Sequence, residues 1–125
     1  MDAGWQGNVF LRTRVEPHDD LSIVHVRGEL DLLTAKTFEE QLAGLLTRGA
    51  VIVNLADVEM LDLAGVDALR LVDRQARQRG SQLAIVGSQP IVHKVINAMR
   101  LSSSLTVCES VAEAVASVRR RKGSE

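Results

Sequence analysis

The sequence predicts an α/β fold: a mixed β-sheet that opens on an antiparallel hairpin and continues in parallel strands, with about four helices. Three observations carry this. Two neighbouring runs near the N-terminus alternate apolar and polar residues. Several later stretches repeat apolar residues at helical spacing. Between those stretches lie short, almost wholly apolar runs that suit strands covered on both faces. A chain of 125 residues, 46% of them hydrophobic, is enough for one core and one domain.

The elements follow in order. Val9, Leu11, Thr13 and Val15 alternate with Phe10, Arg12 and Arg14. Pro17-His18-Asp19-Asp20 then supplies a turn, and the alternation resumes from Leu21 to Arg27. These runs read as a hairpin closed by Gly28, with residues 1–8 a flexible arm. Ala35, Phe38, Leu42 and Leu45 mark a first helix, with Thr34 as its expected N-cap and Gly49 beyond its end. Ala50 to Leu55 is apolar and rich in β-branched residues, a buried strand. Asp57 to Asp62 reads as a loop into a second helix, whose inner face is Val66, Leu69, Val72 and Ala76 and whose stop is Gly80.

Gln82 to Val86 is a further short strand, and Pro90 stands in the first turn of a third helix with Ile91, Val95 and Met99 expected to face inward. Leu105 to Val107 makes a last strand. Ser110 and Glu113 form a capping-box pattern ahead of a fourth helix carrying Val111, Ala114, Val115 and Val118. Fraying is expected from Arg119 onward.

Composition excludes several classes of function. Fifteen Lys and Arg against sixteen Asp and Glu leave a net charge of −1, so no overall field draws the chain to nucleic acid or acidic lipid. The one basic run, Arg119 to Lys122, suits the negative end of a helix dipole. Cys108 is the sole cysteine, which precludes an internal disulfide and a multi-cysteine metal site and fits a reducing, cytoplasmic setting. Neither an export signal nor a membrane-spanning run is expected.

Catalytic patterns are missing too. His18, His25 and His93 are scattered through the sequence and fall in no metal-ligand or triad spacing, so no metal is expected. Neither 28–33 nor 87–94 has the spaced glycines and lysine of a phosphate-cradling loop, so no cofactor is expected either. Two short segments stand out instead. Gly28-Glu29-Leu30-Asp31 leaves the second strand, and Asp62-Leu63-Ala64-Gly65 enters the second helix after a buried strand. Loops beyond the carboxyl ends of strands are where α/β sheets bind ligands and partners.

The element order, these two motifs and the run from Val51 to Leu55 together resemble a STAS domain over nearly the whole chain, with domain limits of 9–118 and a basic tail at 119–125. The family includes bacterial anti-sigma-factor antagonists and the cytosolic tails of sulfate transporters. In the antagonists the second motif reads Asp-Ser-Ser-Gly or Asp-Ser-Thr-Gly, and its second hydroxyl is phosphorylated by a partner anti-sigma factor with serine-kinase activity. Leu63 and Ala64 stand at those two positions here, while Asp62 and Gly65 are kept. An alanine methyl has no oxygen nucleophile, so the phospho-acceptor position is degenerate.

The resemblance implies a docking regulator that binds a serine-kinase-type anti-sigma factor through Asp31, Asp62, Leu63, Ala64 and Gly65, frees a sigma factor and does no catalysis of its own. It implies no nucleic-acid binding and no membrane insertion, and it permits a homodimer. Asp62 and Gly65 equally suit a purely structural role, as a helix cap and a point of close backbone approach. Ser88 and Ser102 to Ser104 are the alternative hydroxyls. Two other family roles are a regulatory subunit of an ABC-type lipid transporter and a weak nucleotide binder, the latter disfavoured by the missing phosphate loop.

Overall fold

The computed structural model describes residues 4–98 and 105–123. Its strands are β1 (Gln6–Gly7), β2 (Leu11–His18), β3 (Leu21–Leu30), β4 (Val51–Leu61), β5 (Leu83–Val86) and β6 (Thr106–Cys108). Its helices are α1 (Ala35–Leu46), α2 (Leu63–Gln78), α3 (Pro90–Ala98) and α4 (Val111–Gly123). The strands lie in one sheet in the order of the sequence. β1, β2 and β3 pair antiparallel, and β3 to β6 pair parallel. The expected mixed sheet with four helices is therefore present.

That monotonic order decides the layering. Parallel strands laid down in one direction, each joined by a right-handed crossover, place every crossover helix on the same face. Phe38, Leu42 and Leu46 of α1, Val66, Leu69, Val72 and Ala76 of α2, and Val92 and Ile96 of α3 accordingly share one core with Val24, Val26, Val51, Val53 and Leu55. The opposite face is left to α4, whose Ala114 and Val118 pack on Leu21, Ile23, Ile52, Ala84, Val86 and Cys108. β4 is thus covered on both sides at its start, which is why Val51, Ile52 and Val53 form an unbroken apolar run with no exposure.

Several boundaries differ from the sequence reading. Gln6 and Gly7, expected in a loose arm, pair with Thr13 and Arg12. Gly28 does not end β3 but sits inside it at φ +103°, beside a register shift. A Cβ there would lie 2.2 Å from the Phe10 carbonyl oxygen, which accepts the Glu29 N–H at 2.8 Å, so only glycine fits this bulge.

Residues 57–61, expected as loop, continue β4 alongside Arg27 to Leu30. Two register shifts spoil the alternation there, burying Val58 and Leu61 three residues apart and so erasing the period-two signal. The Gln89 side chain donates to the carbonyls of Leu55 and Val58, bracing the irregular stretch.

α3 is turned by one residue from expectation, burying Val92 and Ile96 while Ile91 and Val95 lie at its flank. Val92 packs where Gly87 has no side chain: a Cβ on Gly87 would lie 2.9 Å from its Cγ1. Met99 falls outside the described residues, as do Ser102 to Ser104. The last strand is Thr106–Cys108, one residue later than expected, with Leu105 buried just before it.

At the C-terminus the helix does not fray at Arg119 but runs to Gly123. Arg119 reaches Asp19 and Asp20 at 3.2 Å, and Lys122 also pairs with Asp20, tying α4 to the β2–β3 turn. The Lys122 ammonium, and to a lesser extent the Arg119 guanidinium, hold the Asp20 carboxyl down at about 2. At the other end of α4 the serine half of the expected capping box is made, while the Glu113 carboxylate reaches one residue further back than the cap itself. Ser110 Oγ accepts the Glu113 N–H at 3.1 Å, and Glu113 Oε2 accepts the Glu109 N–H at 3.2 Å.

Candidate functional site

The two motifs meet at the carboxyl ends of β3 and β4. Leu30 and Leu61 are register partners, and the Asp62 N–H donates to the Leu30 carbonyl at 3.2 Å. Gly65, in the first turn of α2, closes the seam. A Cβ there would stand 2.5 Å from the Leu30 carbonyl oxygen and 2.9 Å from its Cγ, so the helix approaches this closely only because residue 65 has no side chain. Asp62 caps α2 by accepting the Gly65 N–H at 3.1 Å.

Asp31 has a structural task that the sequence did not reveal. Its Oδ1 accepts the N–H of Leu33 at 3.0 Å and of Thr34 at 3.3 Å, while its carbonyl accepts the Ala35 N–H at 2.9 Å. It caps the turn into α1, the role expected of Thr34. The Thr34 side chain makes no such cap: buried, its hydroxyl donates to the Glu29 carbonyl at 2.8 Å and accepts the Asp31 N–H at 3.0 Å. These local bonds hold the 29–34 turn in a defined shape.

That turn projects two leucines into solvent. Leu32 is 78% exposed and Leu33 80%, and Leu63, at the start of α2, is 61% exposed. Met60, the register partner of Glu29, is exposed on the same edge, as is Phe10, whose carbonyl bonds to Glu29. Val9 precedes Phe10 and is also exposed. Every exposed large hydrophobic among the described residues therefore lies on or next to the carboxyl edge of β3 and β4. Folded chains seldom gather such side chains in water unless the patch binds something. Sequence reasoning missed this patch, although the Leu32-Leu33 pair between a strand and a helix was its visible signal. Ala64 is half-buried at the centre, between Leu63 and the seam.

The other candidates disperse. His18 ends β2 in the open and His93 is exposed on α3. His25 Nε2 lies 3.0 Å from Glu16 Oε1, and its Nδ1 lies 3.1 Å from Asn54 Nδ2. Cys108 is buried, and that burial raises its thiol pKa. Among the described residues no three His, Cys, Asp or Glu side chains are gathered to hold a metal ion, and no helix is long and apolar enough to cross a membrane.

A family model described as the STAS domain matches residues 12–114, spanning both motifs and all the parallel strands. The chain belongs to the STAS domain family. Among characterised STAS relatives, it is 26% identical over 105 residues to the anti-sigma-F factor antagonist RsfA of Mycobacterium tuberculosis, covering 78% of this chain and 79% of that one. It is 23% identical over 111 residues to the anti-sigma-F factor antagonist RsfB of the same organism, covering 87% and 90%. The crystal structure of an anti-sigma factor antagonist from Mycobacterium paratuberculosis superposes with a TM-score of 0.79 at 25% identity, covering 87% of this chain and 94% of that one. The sheet and the four helices are thus those of a STAS domain, and these three relatives bear the names of anti-sigma factor antagonists.

Proposed function

We propose that this STAS domain is an anti-sigma-factor antagonist that docks an anti-sigma factor of the serine-kinase type on the carboxyl edge of β3 and β4, displacing a sigma factor. Its docking residues are Asp31, Asp62, Leu63, Ala64 and Gly65, with Leu32 and Leu33 added by the geometry. The observation that carries this is the exposed leucine cluster around the α2 entrance, with the relatives named as antagonists in support. Asp31, Asp62 and Gly65 set the shape of the edge, and the leucines supply its apolar contact area.

Position 64 determines how such docking is regulated. A phosphate there would place roughly two negative charges beside an apolar surface and oppose docking. Ala64 cannot accept one. The domain therefore binds without a phosphorylation switch at this site, and its effect follows its concentration. No step asks for chemistry on this chain.

The test is to mix the protein with its cognate anti-sigma factor and ATP, following complex formation by calorimetry and the chain by intact-mass spectrometry. Saturable binding with no phosphate gained is expected, whereas Ala64→Ser should gain one phosphate and then release its partner. Phosphate on the unaltered chain, or no binding, would overturn the proposal.

A further inference from the structure

β5 and β6 are adjacent and parallel, yet the helices that follow them part. α3 lies with α1 and α2, its Val92 and Ile96 in their core, while α4 folds onto the opposite face through Ala114 and Val118. The strand order does not reverse at this point. Two neighbouring connections that leave for opposite faces nevertheless open a crevice outside the carboxyl ends of their strands, the place where α/β sheets hold small ligands.

A cavity of about 410 Å³ lies there, reached by Gly87 just past β5 and Glu109 just past β6. That is the size of a small-molecule site. None of the exposed leucines at the ends of β3 and β4 lines it. Its apolar wall is built from Val92 and Ile96, one turn apart on α3, and from Val107 and Cys108 of β6. The polar groups stand at its rim: His93 and Asn97 on the exposed side of α3, and Glu109 and Glu113 from the connection into α4.

Among the described residues the lining holds two carboxylates and no lysine or arginine. Glu113 is fixed in place, its Oε2 accepting the Glu109 N–H at 3.2 Å, so it loses little freedom on meeting a cation. A metal ion does not fit, since no three His, Cys, Asp or Glu side chains among the described residues are gathered to hold one. A ligand with its own positive charge on an apolar body uses both halves of the lining. We infer that the crevice between α3 and α4 is a binding site for a small organic amine. Its ammonium meets Glu109 and Glu113, and its hydrocarbon part lies against Val92, Ile96 and Val107. The site asks nothing of the docking edge, so the two assignments fail separately.

Phenethylamine is the probe, with phenethyl alcohol and hydrocinnamate as neutral and anionic molecules of similar shape. Each is titrated at low salt into the full, isotopically labelled chain and followed by amide NMR shifts. With the amine, saturable shifts are expected at Gly87, Val107 and Glu109 and not at Leu32 or Leu63. The midpoint should be on the order of 1 mM, as suits a ligand of so few atoms. The alcohol should bind about fivefold more weakly or worse, and the acid should not saturate. Glu113→Gln keeps an oxygen for the Glu109 N–H; combined with Glu109→Gln it should weaken the amine by about tenfold and leave the alcohol unchanged. Val107→Phe fills the crevice and should weaken amine and alcohol alike.

Melting temperatures are checked in parallel. If the double variant does not fold, Glu109→Gln alone, at an exposed position, carries the same test with a smaller loss. Failure of the amine to saturate, equal binding of the alcohol or the acid, shifts confined to the leucine edge, or neutralised variants that bind the amine as the parent does would each refute the assignment.

Discussion

Replacing Gly65 with alanine sets two opposing terms against each other. Glycine inside a helix costs about 0.5–1 kcal/mol relative to alanine, so helix propensity alone favours the substitution. Packing opposes it. The new Cβ would lie 2.5 Å from the Leu30 carbonyl oxygen and 3.1 Å from its carbonyl carbon. That obstacle is backbone, held by the bond from the Asp62 N–H, and cannot swing aside as a side chain would.

Overpacking typically costs about 1–3 kcal/mol, and a backbone obstacle belongs at the upper end, leaving a net loss of about 2 kcal/mol. For a chain of this size that is a fall in Tm of about 8 °C. Gly44 is the internal control: it too lies in a helix, but a Cβ there meets nothing within 4 Å. Gly44→Ala should therefore gain about 0.5–1 kcal/mol. Differential scanning calorimetry of the two variants beside the parent reads both signs. A Gly65→Ala protein melting at or above the parent would show that α2 lifts freely from β3, and the seam between the two motifs would lose its physical basis.

Three further expectations can be checked with similar means. Asp31→Asn keeps an oxygen for the Leu33 and Thr34 amides and should melt within a few tenths of a kcal/mol of the parent, whereas Asp31→Ala should lose about 1 kcal/mol. If docking uses the Asp31 charge, the asparagine variant will bind its partner more weakly at unchanged stability, a separation that calorimetric titration measures. Asp20, lowered from 3.8 to about 2 by Lys122 and Arg119, contributes stability that is whole above its unfolded value and is lost as pH falls through its folded one. The margin of the parent over Asp20→Asn in thermal melts should thus be present near about pH 6, vanish by about pH 2 and shrink in high salt. Cys108, buried and with its thiol pushed up, should react with a disulfide reagent far more slowly in the native protein than in denaturant; equal rates would mean that β6 opens readily.

Much of this architecture was legible in the chain itself, because the periods of apolar residues record which faces are buried. Leu11 and Thr13 against Arg12 and Arg14 marked β2, the unbroken run from Val51 marked a doubly covered strand, and Ser110 with Glu113 marked the start of α4. The two motifs and the missing hydroxyl at Ala64 were equally visible, since they depend on residue identity and spacing alone.

What only the tertiary structure decided lies where local pattern is silent. The irregular second half of β4 has no period because register shifts, not alternation, choose its buried residues. Two apolar rows on α3 were equivalent until Gly87 made room for Val92. Asp31 could be recognised as a cap only once the Leu33 and Thr34 amides were seen turned toward it. The gathering of Leu32, Leu33, Leu63, Met60 and Phe10 on one edge follows from strand pairing between segments far apart in sequence. Surface patches are sums over such long-range pairings, so no window of sequence contains them.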